Sequence, residues 1–422
     1  MTGVTSEGQI GLAGRLRSFL TASSLPYLIS AMLTLVAARL LPYFYRGDFT
    51  FKGQPVPIVI VFVGFPITVL LWLRYRGSRT TSRPLTYFYG VVAVAWVIHI
   101  ALMVVHKDAF GYNALFFVPY LILIWLKTPP STDAWRALIV FAWLMAAAFA
   151  YAWIGEVARF QAPFPVPPDL HPWESQNYWL PMDGFMGMEG RWPGPFSHNT
   201  RAGLAAAFVI VIAASRWTRS STPLILIGAF SLSLIWVRAS LLAVLAGLFI
   251  LMIFSQRGVL AKVPRWARWA TAAVLFVLAV VFMFFSGFGL TGRDSVWPGF
   301  LELWRSSPIS GVGRTGIMSD ANPYAIYEDA LNIFVDELAR FGALGLVTFM
   351  GVLVLGLAIS LRAASAQFAA PAAVLATYLV ASQADIHNDW IHPSFHTLIF
   401  ILAVTAAGAW LAERSSRLRG SK

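Results

Sequence analysis

Five arginines, Arg191, Arg238, Arg293, Arg305 and Arg314, stand next to stretches far too apolar for ordinary water-exposed loops. Guanidinium is charged at every relevant pH, and its planar fork donates two parallel hydrogen bonds to phosphate oxygens, so arginines gathered from separate segments suit a diphosphate. Arg191, Arg238, Arg293 and Arg314 are the candidate diphosphate ligands. Chemistry on such a ligand also needs a proton acceptor. Glu328 and Asp329 offer carboxylates that desolvation can turn into a general base, and "ADIHNDWIHPSFH" offers His387 with Asn388, Asp389 and His392. No His and carboxylate cluster has the spacing of a divalent-metal site, and no cofactor is implied.

The elements that hold these residues follow from composition. With 58% hydrophobic and 12% charged residues the chain lies far from the soluble norm of about 25% charged, which predicts a polytopic membrane protein. Runs of roughly 17–25 apolar residues span a bilayer as helices. About twelve are read, at 22–41, 56–73, 86–105, 114–126, 137–155, 201–215, 222–237, 240–255, 269–288, 342–361, 371–386 and 394–412. The runs are continuous rather than alternating, which excludes a transmembrane β-barrel. The predicted fold class is all-α: a polytopic transmembrane helix bundle forming one integral membrane domain over 1–422.

Placing both termini in the cytoplasm puts most of the 31 lysines and arginines on the inner side, as the positive-inside rule requires. All but Glu7, Asp133 and Glu413 of the 19 acids then fall outside. The net charge of +12 belongs to a surface facing anionic headgroups and gives no reason to expect nucleic acid. The first apolar run follows Arg15 and Arg17 like a signal peptide but lacks a small-residue cleavage site, so it is read as a membrane anchor. Absence of cysteine fits outer loops without disulfides.

Two connections, about 156–200 and 289–341, are much longer than the rest and lie on the outer side. Their Trp, Phe, Pro and Gly content predicts ordered loops that cap the bundle and form the active site. The first ends in "RWPGPFSHN", where His198 and Asn199 lead into the next helix. In the second, Trp297, Phe300, Leu301 and Trp304 suit a short helix in the interface. His198, Asn199, Asn332 and Trp297 are candidate contacts to glycan or acceptor. Arg238 interrupts a hairpin at membrane depth, where an ionisable residue is a functional candidate. His99, inside the third run, reads as a hydrogen-bonded packing residue.

The order "RWPGPFSHN", "SLIWVRAS", "TGRDSVW…SSPISGVGRTG" and "EDALNIFVDELARFGALGLV" over residues 190–350 resembles the O-antigen ligase and O-antigen polymerase family of bacterial membrane glycosyltransferases. The resemblance implies transfer of a glycan from a polyprenyl diphosphate donor to a lipid or glycan acceptor, without metal, at the outer face of the cytoplasmic (inner) membrane. It aligns Arg191, Arg238 and Arg293 with family arginines. The family commonly has a His-Asn pair before the "GALGL" helix start, and here the pair is Leu331-Asn332. Leucine transfers no proton, so Glu328, Asp329 or the His387 cluster must replace the family base, or the chain is inactive. A polymerase, a polyprenyl-phosphate-sugar transferase using Asp48, and a glycan or lipid transporter are the alternatives.

Overall fold

The computed structural model describes residues 12–44, 50–51, 54–77, 82–108, 112–157, 199–216, 218–235, 237–254, 262–264, 266–271, 273–274, 293–319, 330, 332–382 and 395–420. Its helices are α1 Leu12–Ala22, α2 Leu25–Phe44, α3 Val56–Arg74, α4 Arg83–His106, α5 Tyr112–Leu126, α6 Ser131–Val157, α7 Asn199–Ala214, α8 Thr222–Ile235, α9 Arg238–Phe254, α10 Arg293–Ser306, α11 Gly313–Ile317, α12 Ile333–Ser365, α13 Ala370–Ser382 and α14 Phe395–Gly420. A two-residue antiparallel pair, Thr50–Phe51 with Gln54–Pro55, joins α2 to α3.

The fold is all-helical, and several helices are apolar enough to cross a membrane. Among the described residues, four are long enough as well: α4, α6, α12 and α14. A fifth arises if α1 and α2, which meet at 79°, are taken as one broken span. Shorter apolar helices occupy the expected positions at 56–73, 114–126, 201–215, 222–237, 240–255 and 371–386. Most of the run at 269–288 lies outside the described residues.

At the centre is α7, "NTRAGLAAAFVIVIAA", whose residues from Leu204 to Ala214 are all buried. Its alanines let α6, α8, α9 and α13 approach closely, the usual device where helices pack without a hydrophobic drive between them. Around the rim, Phe62, Val63, Leu70, Val94, Val97, Val105, Leu226, Val347 and Val354 stay more than half exposed. These outward apolar faces suit lipid contact.

One end of the bundle is organised by helix caps. Asp133 Oδ2 accepts from the Ser24 N–H (3.0 Å) and hydroxyl (2.8 Å) and from the Ser23 hydroxyl (3.0 Å), which fixes the corner between α1 and α2. Glu413 on α14 accepts from the Ser131 N–H (2.9 Å) and hydroxyl (2.7 Å) at the first turn of α6. Cations serve the opposite polarity: Lys127 Nζ donates to the Tyr75 carbonyl (2.7 Å) past the end of α3, and Arg414 donates to the Ala366 carbonyl (2.6 Å) at the end of α12. Carboxylates at helix starts and cations at helix ends oppose the helix dipoles.

The helix α12 is not straight. Gly342 takes φ 63° and ψ −161°, a conformation only glycine adopts readily, and breaks the helix. The rings of Phe334 and Phe349 stand 5.9 Å apart, although fifteen residues of straight helix would separate them by about 22 Å. Residues 333–341 therefore fold back onto residues 343–365. Ile333 joins the main core, and a β-carbon on Gly345 would lie 3.4 Å from Glu337 Oε2.

Candidate functional site

The broken ends of α12 would leave backbone groups bare inside the protein. The segment "SSPISGVG" supplies partners: Ala343 N–H donates to the Pro308 carbonyl (2.9 Å), Leu344 N–H to that of Ile309 (3.2 Å), and Val312 N–H to that of Ala339 (2.9 Å). Gly311 (φ 71°) and Gly342 lie backbone against backbone, so a β-carbon on Gly342 would overlap the Ile309 carbonyl and one on Gly311 the Arg340 carbonyl.

The same segment is tied to the end of α4. Lys107 turns left-handed (φ 58°) and closes that helix, bringing Asp108 directly after it. Asp108 is buried and accepts from the N–H groups of Arg314 and Thr315, both at 2.8 Å, and from the Thr315 hydroxyl at 2.7 Å. His106 Nε2 contacts the Ser310 carbonyl at 2.9 Å. Arg314 is thus held by its backbone while its side chain is exposed.

Of the other diphosphate candidates, Arg238 is the first residue of α9 and Arg293 the first of α10. Asn199 likewise opens α7. For these three only the helix backbone is described. Arg305 is exposed in the last turn of α10. Arg191, His198, Glu328, Asp329, Leu331, His387, Asn388, Asp389 and His392 lie outside the described residues.

Asn332 has a definite structural duty. It is buried and caps the start of α12, its Oδ1 accepting from the N–H groups of Phe334 (3.0 Å) and Val335 (3.3 Å). Trp297 donates its indole N–H to the Ala330 carbonyl (2.9 Å), while Val296 and Phe300 pack with Ala330 and Ala339. The helix expected in this loop is α10, and it supports the fold-back of α12. The stretch expected as loop up to residue 341 turns helical at Ile333, because Asn332 caps it and its buried face packs against α4 and α10.

Sequence reasoning missed the ionisable groups on that fold-back. Asp336, Glu337 and Arg340 are all buried. Arg340 Nε lies 3.0 Å from Asp336 Oδ2, and Glu337 Oε2 lies 2.8 Å from His99 Nε2 on α4. The four-residue spacing of Asp336 and Arg340, behind an Asn cap, was the readable signal. Among the described residues no group of three His, Cys, Asp or Glu could hold a metal ion.

Protein-family models give no match to the sequence, and neither do curated proteins.

Proposed function

We propose that the chain is a membrane glycosyltransferase of the O-antigen ligase kind, with about twelve spans, both termini cytoplasmic, and its site on the outer face of the inner membrane. Arg191, Arg238, Arg293 and Arg314 hold the departing polyprenyl diphosphate, and Glu328, Asp329 or His387 takes the proton of the acceptor hydroxyl. Transfer then forms the bond from the acceptor oxygen to the anomeric carbon as the bond to diphosphate breaks. Guanidinium groups stabilise the charge on the leaving group, and diphosphate already leaves well.

The observation that supports this reading most is the mounting of Arg314. Its backbone is fixed through Asp108 and the fold-back of α12, and its side chain is exposed, so an anion can reach the guanidinium. Purified protein given a polyprenyl-diphosphate glycan and acceptor is expected to release polyprenyl diphosphate, with or without EDTA. No release with any lipid or glycan acceptor overturns the reading; product length distinguishes single transfer from polymerisation.

One observation favours a glycan or lipid transporter instead. Transporters place ionisable residues inside the membrane at broken helices, and α12 carries Asp336, Glu337 and Arg340 beside such a break. Movement of labelled lipid-linked glycan across reconstituted vesicles without transfer would select this alternative.

A further inference from the structure

The stretch "GRLRSFLTASSLPY" turns a corner between α1 and α2. Pro26 has no N–H to give the Ala22 carbonyl, and its ring would strike that carbonyl, so α1 cannot run on into α2 as one straight helix. The Ser23 hydroxyl instead accepts from the Leu25 N–H (3.2 Å) at the start of α2, and Asp133 of α6 holds both Ser23 and Ser24. The Arg76 N–H, just past the end of α3, donates to the Thr21 carbonyl (2.8 Å). Partners from two other elements thus fix the angle of 79° between α1 and α2. With 20 residues α2 reaches about 30 Å, enough to cross a bilayer by itself, whereas the 11 residues of α1 reach about 16 Å. With α2 upright, α1 lies close to the membrane plane.

The two faces of α1 differ. Helical geometry puts Leu16, Phe19 and Leu20 within an arc of about 100°, with Ser18 and Thr21 opposite and Arg15 and Arg17 flanking the apolar arc on either side. Leu16 is 57% and Phe19 44% exposed, and both arginines are exposed, so among the described residues nothing covers this face. Arg74 and Arg76 stand exposed beside the corner, and Arg136 is exposed near the start of α6. The acids described at this end, Asp133 and Glu413, are already occupied by serine donors. An apolar stripe rimmed by uncompensated cations matches a bilayer surface that carries negative charge.

We propose that α1 is an in-plane helix that docks on anionic phospholipid headgroups of the surrounding leaflet. Leu16, Phe19 and Leu20 sit below the phosphates, and Arg15 and Arg17 reach up to them along their apolar stems. A second copy of the chain could cover the stripe, but a symmetric pairing would bring like-charged arginines together with no acid to face them. The docking rests on the bundle crossing a membrane and is independent of glycosyl transfer.

The test uses the full chain reconstituted in phosphatidylcholine vesicles, with or without about one third phosphatidylglycerol. The chain has no cysteine, so Leu16→Cys, Phe19→Cys and Ser18→Cys each give one site for a nitroxide label. In the anionic vesicles the labels at 16 and 19 are expected to collide with oxygen dissolved in the bilayer, and the label at 18 with a water-soluble nickel chelate. Three equal values, all wet or all buried, overturn the proposal. An arginine near an anionic surface favours contact by roughly fivefold, so Arg15→Gln with Arg17→Gln should lower the ratio of docked to free label at 16 by about 10–30-fold. Lysine at both positions should restore it, since charge rather than the guanidinium fork is what the surface attracts. A ratio that is the same in neutral and anionic vesicles, or unchanged in the glutamine variant, overturns the docking; protection that grows with the protein-to-lipid ratio assigns the face to a second copy and overturns it too.

Discussion

Asp108 and Thr315, 207 positions apart, share two hydrogen bonds to a single carboxylate oxygen, one from the Thr315 N–H at 2.8 Å and one from its hydroxyl at 2.7 Å. With the Arg314 N–H on the second oxygen, this carboxylate is the anchor of the whole 307–317 segment on α4. Asp108→Ala removes the acceptor of three part-buried hydrogen bonds and is expected to cost about 1–3 kcal/mol in chemical unfolding.

The crossing of Gly342 with residues 309–311 leaves no room for a side chain. Gly342→Ala must both adopt φ 63° and displace the Ile309 carbonyl, so a loss of at least about 2–3 kcal/mol, seen as reduced folded yield in size-exclusion profiles, is expected. Gly351→Ala is the comparison: a β-carbon there meets only Val91 Cγ1 at 3.5 Å, in ordinary contact. That variant should be neutral or slightly stabilised, since glycine inside a helix costs roughly 0.5–1 kcal/mol relative to alanine.

For catalysis, Arg238→Gln, Arg293→Gln and Arg314→Gln are each expected to lower polyprenyl-diphosphate release by about 10²–10³-fold, the scale for one donor to a developing anion. Lysine at the same positions keeps the charge but loses the fork and should restore only part of the rate. Unchanged rates in all three glutamine variants would remove these arginines from the site.

Tyr75, just past the end of α3, has its phenol pushed above the usual value of 10.0, by burial first and then by the Asp133 charge. The folded state thus holds the phenolic proton more tightly than the unfolded chain does. The stabilisation is complete below about pH 10 and is lost as pH rises through the folded-state value. Tyr75→Phe should flatten the decline of melting temperature above pH 10, and an identical decline in both chains would contradict this.

Much of the helical arrangement was readable from apolar runs, including the short ones that became α5, α7, α8 and α9. The start of the long apolar run at 342 was also correct, because Gly342 is where α12 turns. The preceding nine residues were not readable as helix by hydropathy, since Asp336, Glu337 and Arg340 make the stretch look like a water-exposed loop. Asp336 and Arg340 pair locally at four-residue spacing, but Glu337 pairs with His99, 238 positions away, and no local pattern encodes that contact. His99 itself was expected to be a hydrogen-bonded packing residue, and its two ring nitrogens are both engaged. The anchoring role of Asp108 was equally invisible, because its partners lie two hundred residues away.

The bond between Ser131 and Glu413 bears on how the chain is made. The first turn of α6 receives the acceptor for the Ser131 N–H and hydroxyl from α14, 282 residues later, so during synthesis these two donors have no protein partner until α14 follows. Only when α14 is released does that end of the bundle close. A chain stopped before residue 413 would carry α1 to α13 and still lack the acceptor that closes the start of α6.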